Sequence, residues 1–118
     1  MRIFLILLFG LSGCASTQWT TTDSRLEWAF QVVNIADAYT TAQIQYDPTV
    51  EERAFPTKQL IGINPSGKEV AVLFATYSIS HYLIARALPP KWRRYYQVGT
   101  IGASTAVVIN NCQLGLCD

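Results

Sequence analysis

Charged side chains are scarce in this sequence. Only 14% of its 118 residues are Asp, Glu, Lys or Arg, against roughly 25% in an ordinary soluble domain. The nine basic and eight acidic residues nearly cancel, so the chain has no basic footprint for a nucleic acid. Histidine occurs once and cysteine three times, and they lack the paired spacing of a structural zinc site. There is no phosphate-cradling glycine loop, dinucleotide fingerprint or nucleophile elbow, and no internal repeat. What is present is apolar: 50% of the residues are hydrophobic. Such a chain either buries most of its surface in protein or faces lipid on one side. Its length suits one domain.

Met1-Arg2 supplies a positive start, and Ile3 to Leu11 is an apolar run too short for the roughly 20 residues that a spanning helix needs. The pattern predicts an export signal over residues 1–13. Leu11-Ser12-Gly13-Cys14 resembles the lipobox of bacterial lipoproteins. Small residues there let the extended chain enter a membrane peptidase, and only a thiol forms the thioether to lipid. The resemblance implies cleavage before Cys14 and a covalent diacylglycerol on it; no other cofactor and no metal is expected. Ala15 stands where an Asp retains lipoproteins at the inner membrane, which points to the outer membrane. A spanning hairpin would point to the inner one.

The mature chain reads as all-α, with a polar tether over 14–22 and one helical domain over 23–118. An amphipathic helix is expected at about 24–46, opened by the capping box Ser24-Arg-Leu-Glu27. Leu26, Ala29, Phe30, Val33, Ala36, Thr40 and Ile44 recur at helical spacing. Glu27, Gln31, Asn34, Thr41 and Gln45 fall on the other side. Asp47-Pro48 ends this helix. A punctuated loop follows, with one short turn near Lys58 to Ile61. A second box, Ser66-Gly-Lys-Glu69, opens a helix over 68–87. Leu88-Pro89-Pro90 closes it, and a third helix runs over 91–111, with Pro90 free to serve as its first residue.

The last two helices form a hairpin that either crosses a membrane or makes the core of a soluble bundle. Neither has a charge in its middle. The turn between them carries Arg86, Lys91, Arg93 and Arg94 beside Trp92, Tyr95 and Tyr96, the composition of a cytoplasmic membrane boundary. With the first helix lying on the surface, Cys14 and the C-terminal Cys112 and Cys117 share the outer side, opposite this turn. Those two cysteines either form a disulfide, as exported proteins allow, or remain free thiols, or ligate a metal, for which they have no companion cysteines. The small-residue run Gly99 to Ala106 is expected to pack against the preceding helix.

His81 is expected to be buried and satisfied by a hydroxyl, with Tyr77 and Ser78 one turn away. Asp37 is expected at solvent or capping the adjacent loop. Asp37, Glu52 and His81 are also the residues that a proton-transfer or metal cluster would use. The order Asp37…Thr40-Thr41, Glu52…Pro56, Leu60-Ile61-Gly62, Pro65-Ser66, His81 and Trp92-Arg93 resembles a group of small bacterial and phage proteins. In these an Asp/Thr helix precedes a Glu-x-Asn-Pro loop and a His-bearing helix. Glu52-Arg-Ala-Phe-Pro56 departs from that loop by lacking the Asn. The resemblance implies a membrane-associated helical protein and brings no activity with it.

The expectation is therefore a non-enzymatic, lipid-anchored envelope protein in contact with membrane lipid and another envelope protein, with no nucleic acid. The alternative is a small metal-handling protein or enzyme built on Asp37, Glu52 and His81.

Overall fold

The computed structural model describes residues 18–53 and 55–118. The expected export signal, the expected lipobox with Cys14 and the first residues of the expected tether lie outside the described residues. The fold is all-α. Helix α1 spans Thr21–Gln43 and tightens into a 3-10 turn at Ile44–Tyr46. A short α2, Thr57–Ile61, interrupts the loop where a turn was expected. The two long helices that follow are α3, Gly67–Ala87, and α4, Pro90–Gln113.

The start of α1 lies one turn before its expected position. Thr20 is the N-cap: its hydroxyl accepts from the Asp23 amide at 3.1 Å, and the Asp23 carboxylate accepts from the Thr20 amide at 2.9 Å. Thr20-x-x-Asp23 meets the orphan first-turn donors as well as Ser24-x-x-Glu27 would, and it releases the latter pair for other partners. Ser24 Oγ accepts from the Trp19 indole N–H at 2.8 Å. The guanidinium groups of Arg86 and Arg93 lie over the Trp19 ring at 4.6 and 5.1 Å. Gln18 to Thr20, expected as loose tether, are thus docked on the bundle. Helix α3 starts at the expected box, with Ser66 and Glu69 capping reciprocally. Helix α4 has Pro90 in its first turn.

Helix α1 is the centre of the molecule, not a surface helix beside a hairpin. It runs antiparallel to α3, where Gln31 meets Ser78 and Asn34 meets Phe74. It runs parallel to α4, where Gln97 meets Asp23 and Asn111 meets Thr40. Each outer helix packs along α1, and the two touch each other only sparsely. The result is a slab whose Cα extents are 47 × 36 × 17 Å.

This placement differs from the expected arrangement, in which the start of the mature chain and the C-terminal cysteines share one side. Because α1 lies full length against α3, its start sits beside the basic turn. Arg93 Nη1 donates to the Gln18 carbonyl at 3.1 Å. Cys112 and Cys117 are joined as a disulfide at the opposite end.

Polarity is arranged opposite to a water-soluble bundle. Among the described residues, twelve buried side chains are polar or charged and six are hydrophobic. The polar face of α1 turns inward: Glu27, Asn34 and Thr41 are buried, and so is Asp37, which was expected at solvent. Outward go Trp28, Val32, Ile35 and Tyr39. They fall on one stripe as regularly as the residues expected to be the core, so spacing alone marks two candidate faces. Only the hydrogen-bonding demand of the acids and amides decides between them. Helix α3 exposes Val72, Ile79 and Leu83, and α4 exposes Trp92, Tyr95, Val98 and Ile109. Gly99, Gly102, Ala103 and Ala106 are also exposed, and a Cβ at Gly99 or Gly102 would meet nothing within 4 Å. The small-residue run of α4 therefore does not pack against α3 as expected, because α1 holds the two helices apart.

Candidate functional site: a polar column and a cleft beside it

The inward face of α1 carries polar residues at helical spacing, and each meets a group from α3 or α4. At the basic end Arg93 is wholly buried. Its guanidinium donates to Asp23 Oδ2 at 2.9 Å, to the Ala85 carbonyl at 2.8 Å and to the Leu88 carbonyl at 3.1 Å. Arg94 adds a longer contact to Asp23 at 3.8 Å. Gln97 Nε2 donates to the Asp23 carbonyl at 3.1 Å, and its Oε1 is buried with no partner.

One turn deeper, His81 Nδ1 donates to the Glu27 carboxylate at 3.0 Å, and Nε2 lies 2.8 Å from Thr100 Oγ1. The imidazole is stacked between Phe30 and Tyr96, with ring centroids 3.5 and 4.7 Å away. The buried, satisfied histidine expected from sequence is present, and one partner is a hydroxyl. That hydroxyl comes from α4 rather than from Tyr77 or Ser78. Gln31 binds Glu27 at 2.8 Å and also accepts from the Ser78 hydroxyl. Glu27 is thus held by an imidazole and an amide. Its role is invisible to local pattern because its partner is 54 positions away.

Beyond this layer the column becomes less complete. Asn34 Nδ2 donates to the Phe74 carbonyl at 3.0 Å, and Thr41 Oγ1 donates to Asp37 Oδ1 at 3.2 Å. Asn111 Nδ2 donates to Thr40 Oγ1 at 2.8 Å. Asn34 Oδ1 and Asp37 Oδ2 accept no hydrogen bond among the described residues and, unlike the sealed Gln97 Oε1, are open to the space beside them.

These two residues floor a cleft of about 330 Å³ between α3 and α4. Tyr77, His81 and Ile84 line it from α3, and Tyr96, Thr100, Ala103 and Val107 from α4. Phe55 to Thr57 close its far end, where Thr57 Oγ1 and Tyr77 OH lie 3.5 Å apart. The cleft exists because the outer helices are held to α1 and not to each other.

The trio singled out in the sequence is divided. Asp37 and His81 line this cleft, but His81 is committed to Glu27. Glu52 is buried in the connecting loop, its amide bonded to the Ile63 carbonyl at 2.7 Å. It lines a different cleft of about 550 Å³ with Asn110, Asn111 and Leu114. Among the described residues no group of three or more His, Cys, Asp or Glu side chains is placed to hold a metal ion. Helix α3 is long and apolar enough to cross a membrane, by length and composition. Comparison with protein families, curated proteins and solved structures finds no match to this chain.

Proposed function

We propose that this protein works inside a membrane as a three-helix bundle and acts by contact rather than by catalysis. The observation that carries this reading is the division of side chains: acids, amides and a buried arginine inside, aromatic and aliphatic groups outside. Between Arg25 and the end of α1 every exposed residue is Trp, Val, Ile or Tyr. The exposed surface of α4 from Tyr95 to Ile109 carries no charge. In water such a surface would be a large apolar patch of the kind that marks an interaction face. Against acyl chains it needs no cover, and the buried hydrogen bonds then hold the helices together. Helix α3, at 21 residues, is about 31 Å long, close to the roughly 30 Å hydrocarbon core. Arg25, Arg86, Lys91 and Arg94 ring one end with Trp92 and Tyr95, which suits a headgroup layer.

In this reading the diacylglycerol on Cys14 anchors the same end. Gln18 is bonded to Arg93 there, and four residues reach no further than about 14 Å. The exposed apolar faces then meet membrane lipid and the helices of another envelope protein. Alkaline carbonate extraction of membranes carrying Cys14→Ser tests the embedding: the variant stays in the pellet. Release into the supernatant refutes it.

A second reading keeps the bundle and reverses it. The disulfide and the basic turn occupy opposite ends, which favours the basic end on the cytoplasmic side and the disulfide outside. Cys14 then carries no lipid. Mass spectrometry of the purified protein separates the two: a thioether-linked acyl group supports the first, and an intact Met1 start with a free Cys14 thiol supports the second.

A further inference from the structure

The cleft between α3 and α4 has an acidic floor with no lysine or arginine beside it. Asp37 is 8% exposed and Asn34 5%, and each brings an oxygen without a partner to the cleft they line. No lysine or arginine lines the cleft, and the nearby Glu52 adds negative charge rather than cancelling it. His81 spends both ring nitrogens on Glu27 and Thr100. A carboxylate buried without a cation is costly to maintain, and the cost falls when a positive donor arrives. The rest of the lining states what kind of donor. Phe30, Tyr77 and Tyr96 line the same space, and aromatic rings attract ammonium groups. A bare metal ion would need several more oxygen or nitrogen ligands. The volume of about 330 Å³ lies at the small end of ligand cavities.

We propose that this cleft binds a small organic ammonium: a protonated amine on Asp37 and Asn34, with an apolar body between Tyr77 and Tyr96. The amine donates N–H bonds to the two idle oxygens, and its charge neutralises Asp37. Whether the protein is embedded does not enter this inference, so the test uses the full chain in lipid-free detergent micelles.

The probe is 2-phenylethylamine, with 2-phenylethanol as its uncharged counterpart, and binding is read from the saturable rise in thermal midpoint. The amine binds at least tenfold more tightly than the alcohol, and Asp37→Asn removes that difference. Equal effects of amine and alcohol, no saturable effect of either, or an unchanged preference in Asp37→Asn overturns the proposal. Should Asp37→Asn not fold, Ala103→Trp carries the test. Ala103 is an exposed wall residue, so the larger side chain fills the cleft without entering the packed interior. Loss of amine binding in this variant supports the site, and retention overturns it. Adding phosphatidylethanolamine or phosphatidylcholine to the micelles identifies the source. Competition by the first alone assigns a lipid headgroup amine, and competition by neither assigns a free amine. Equal competition by both overturns recognition of the N–H donors.

Discussion

The two halves of α1 are built from similar residues and solve different problems. In the first half, Asp23 and Glu27 each face a basic or imidazole partner at about 3 Å, reinforced by amides and backbone carbonyls. In the second half, Asn34 and Asp37 are as deeply buried and keep idle acceptors. A charge that is fully paired holds helices together, and one left waiting is open to something else. The first half is thus read as the brace of the bundle and the second as its binding surface.

Four substitutions break or sharpen that contrast. Arg93→Met leaves Asp23 buried without its main cation and is expected to lose about 3–5 kcal/mol, measured by denaturant titration in micelles. A loss below about 1 kcal/mol would mean that the basic end is not a brace. His81→Ala removes a ring stacked on two aromatics and strands Glu27; we expect a loss of about 2–4 kcal/mol by the same titration. Thr20→Ala is expected to cost about 1 kcal/mol, with fraying at the start of α1 seen by amide hydrogen exchange. A silent Thr20→Ala would return the cap to Ser24. Asp37→Asn keeps the Oδ1 acceptor for Thr41 and removes an uncompensated charge, so its stability should stay within about 1 kcal/mol of the parent. A loss as large as that of Arg93→Met would erase the distinction between the two halves.

Local signals in the sequence located the elements well. Ser66-x-x-Glu69, Pro90 and the Leu88-Pro89 break are read from neighbouring residues alone, and α3 and α4 begin and end within a few residues of expectation. The inward face of α1 was not legible in the same way. Trp28, Val32, Ile35 and Tyr39 form one apolar stripe, and Leu26, Phe30 and Val33 form another. The choice between them depends on Glu27 finding His81 and Asp23 finding Arg93, pairs separated by 54 and 70 positions. The same gap hid the site. Asp37 and His81 could be suspected from residue type, but the cleft arises from helices that diverge, and no spacing within one helix records that. The small residues of α4 misled for a related reason: they permit close approach without saying to what.

The sparse contact between α3 and α4 has a mechanical consequence. These helices meet at the Leu88–Pro89 corner, through Arg93 on the Ala85 carbonyl and through His81 against Thr100 and Tyr96, and elsewhere each is held mainly to α1. They resemble the arms of a pair of callipers, pivoting on a proline corner with α1 as the rule along which they are set. The Arg93–Asp23 bolt sits near that corner, so the width of the gap is set by how each arm is held to α1 and not by a seam between the arms.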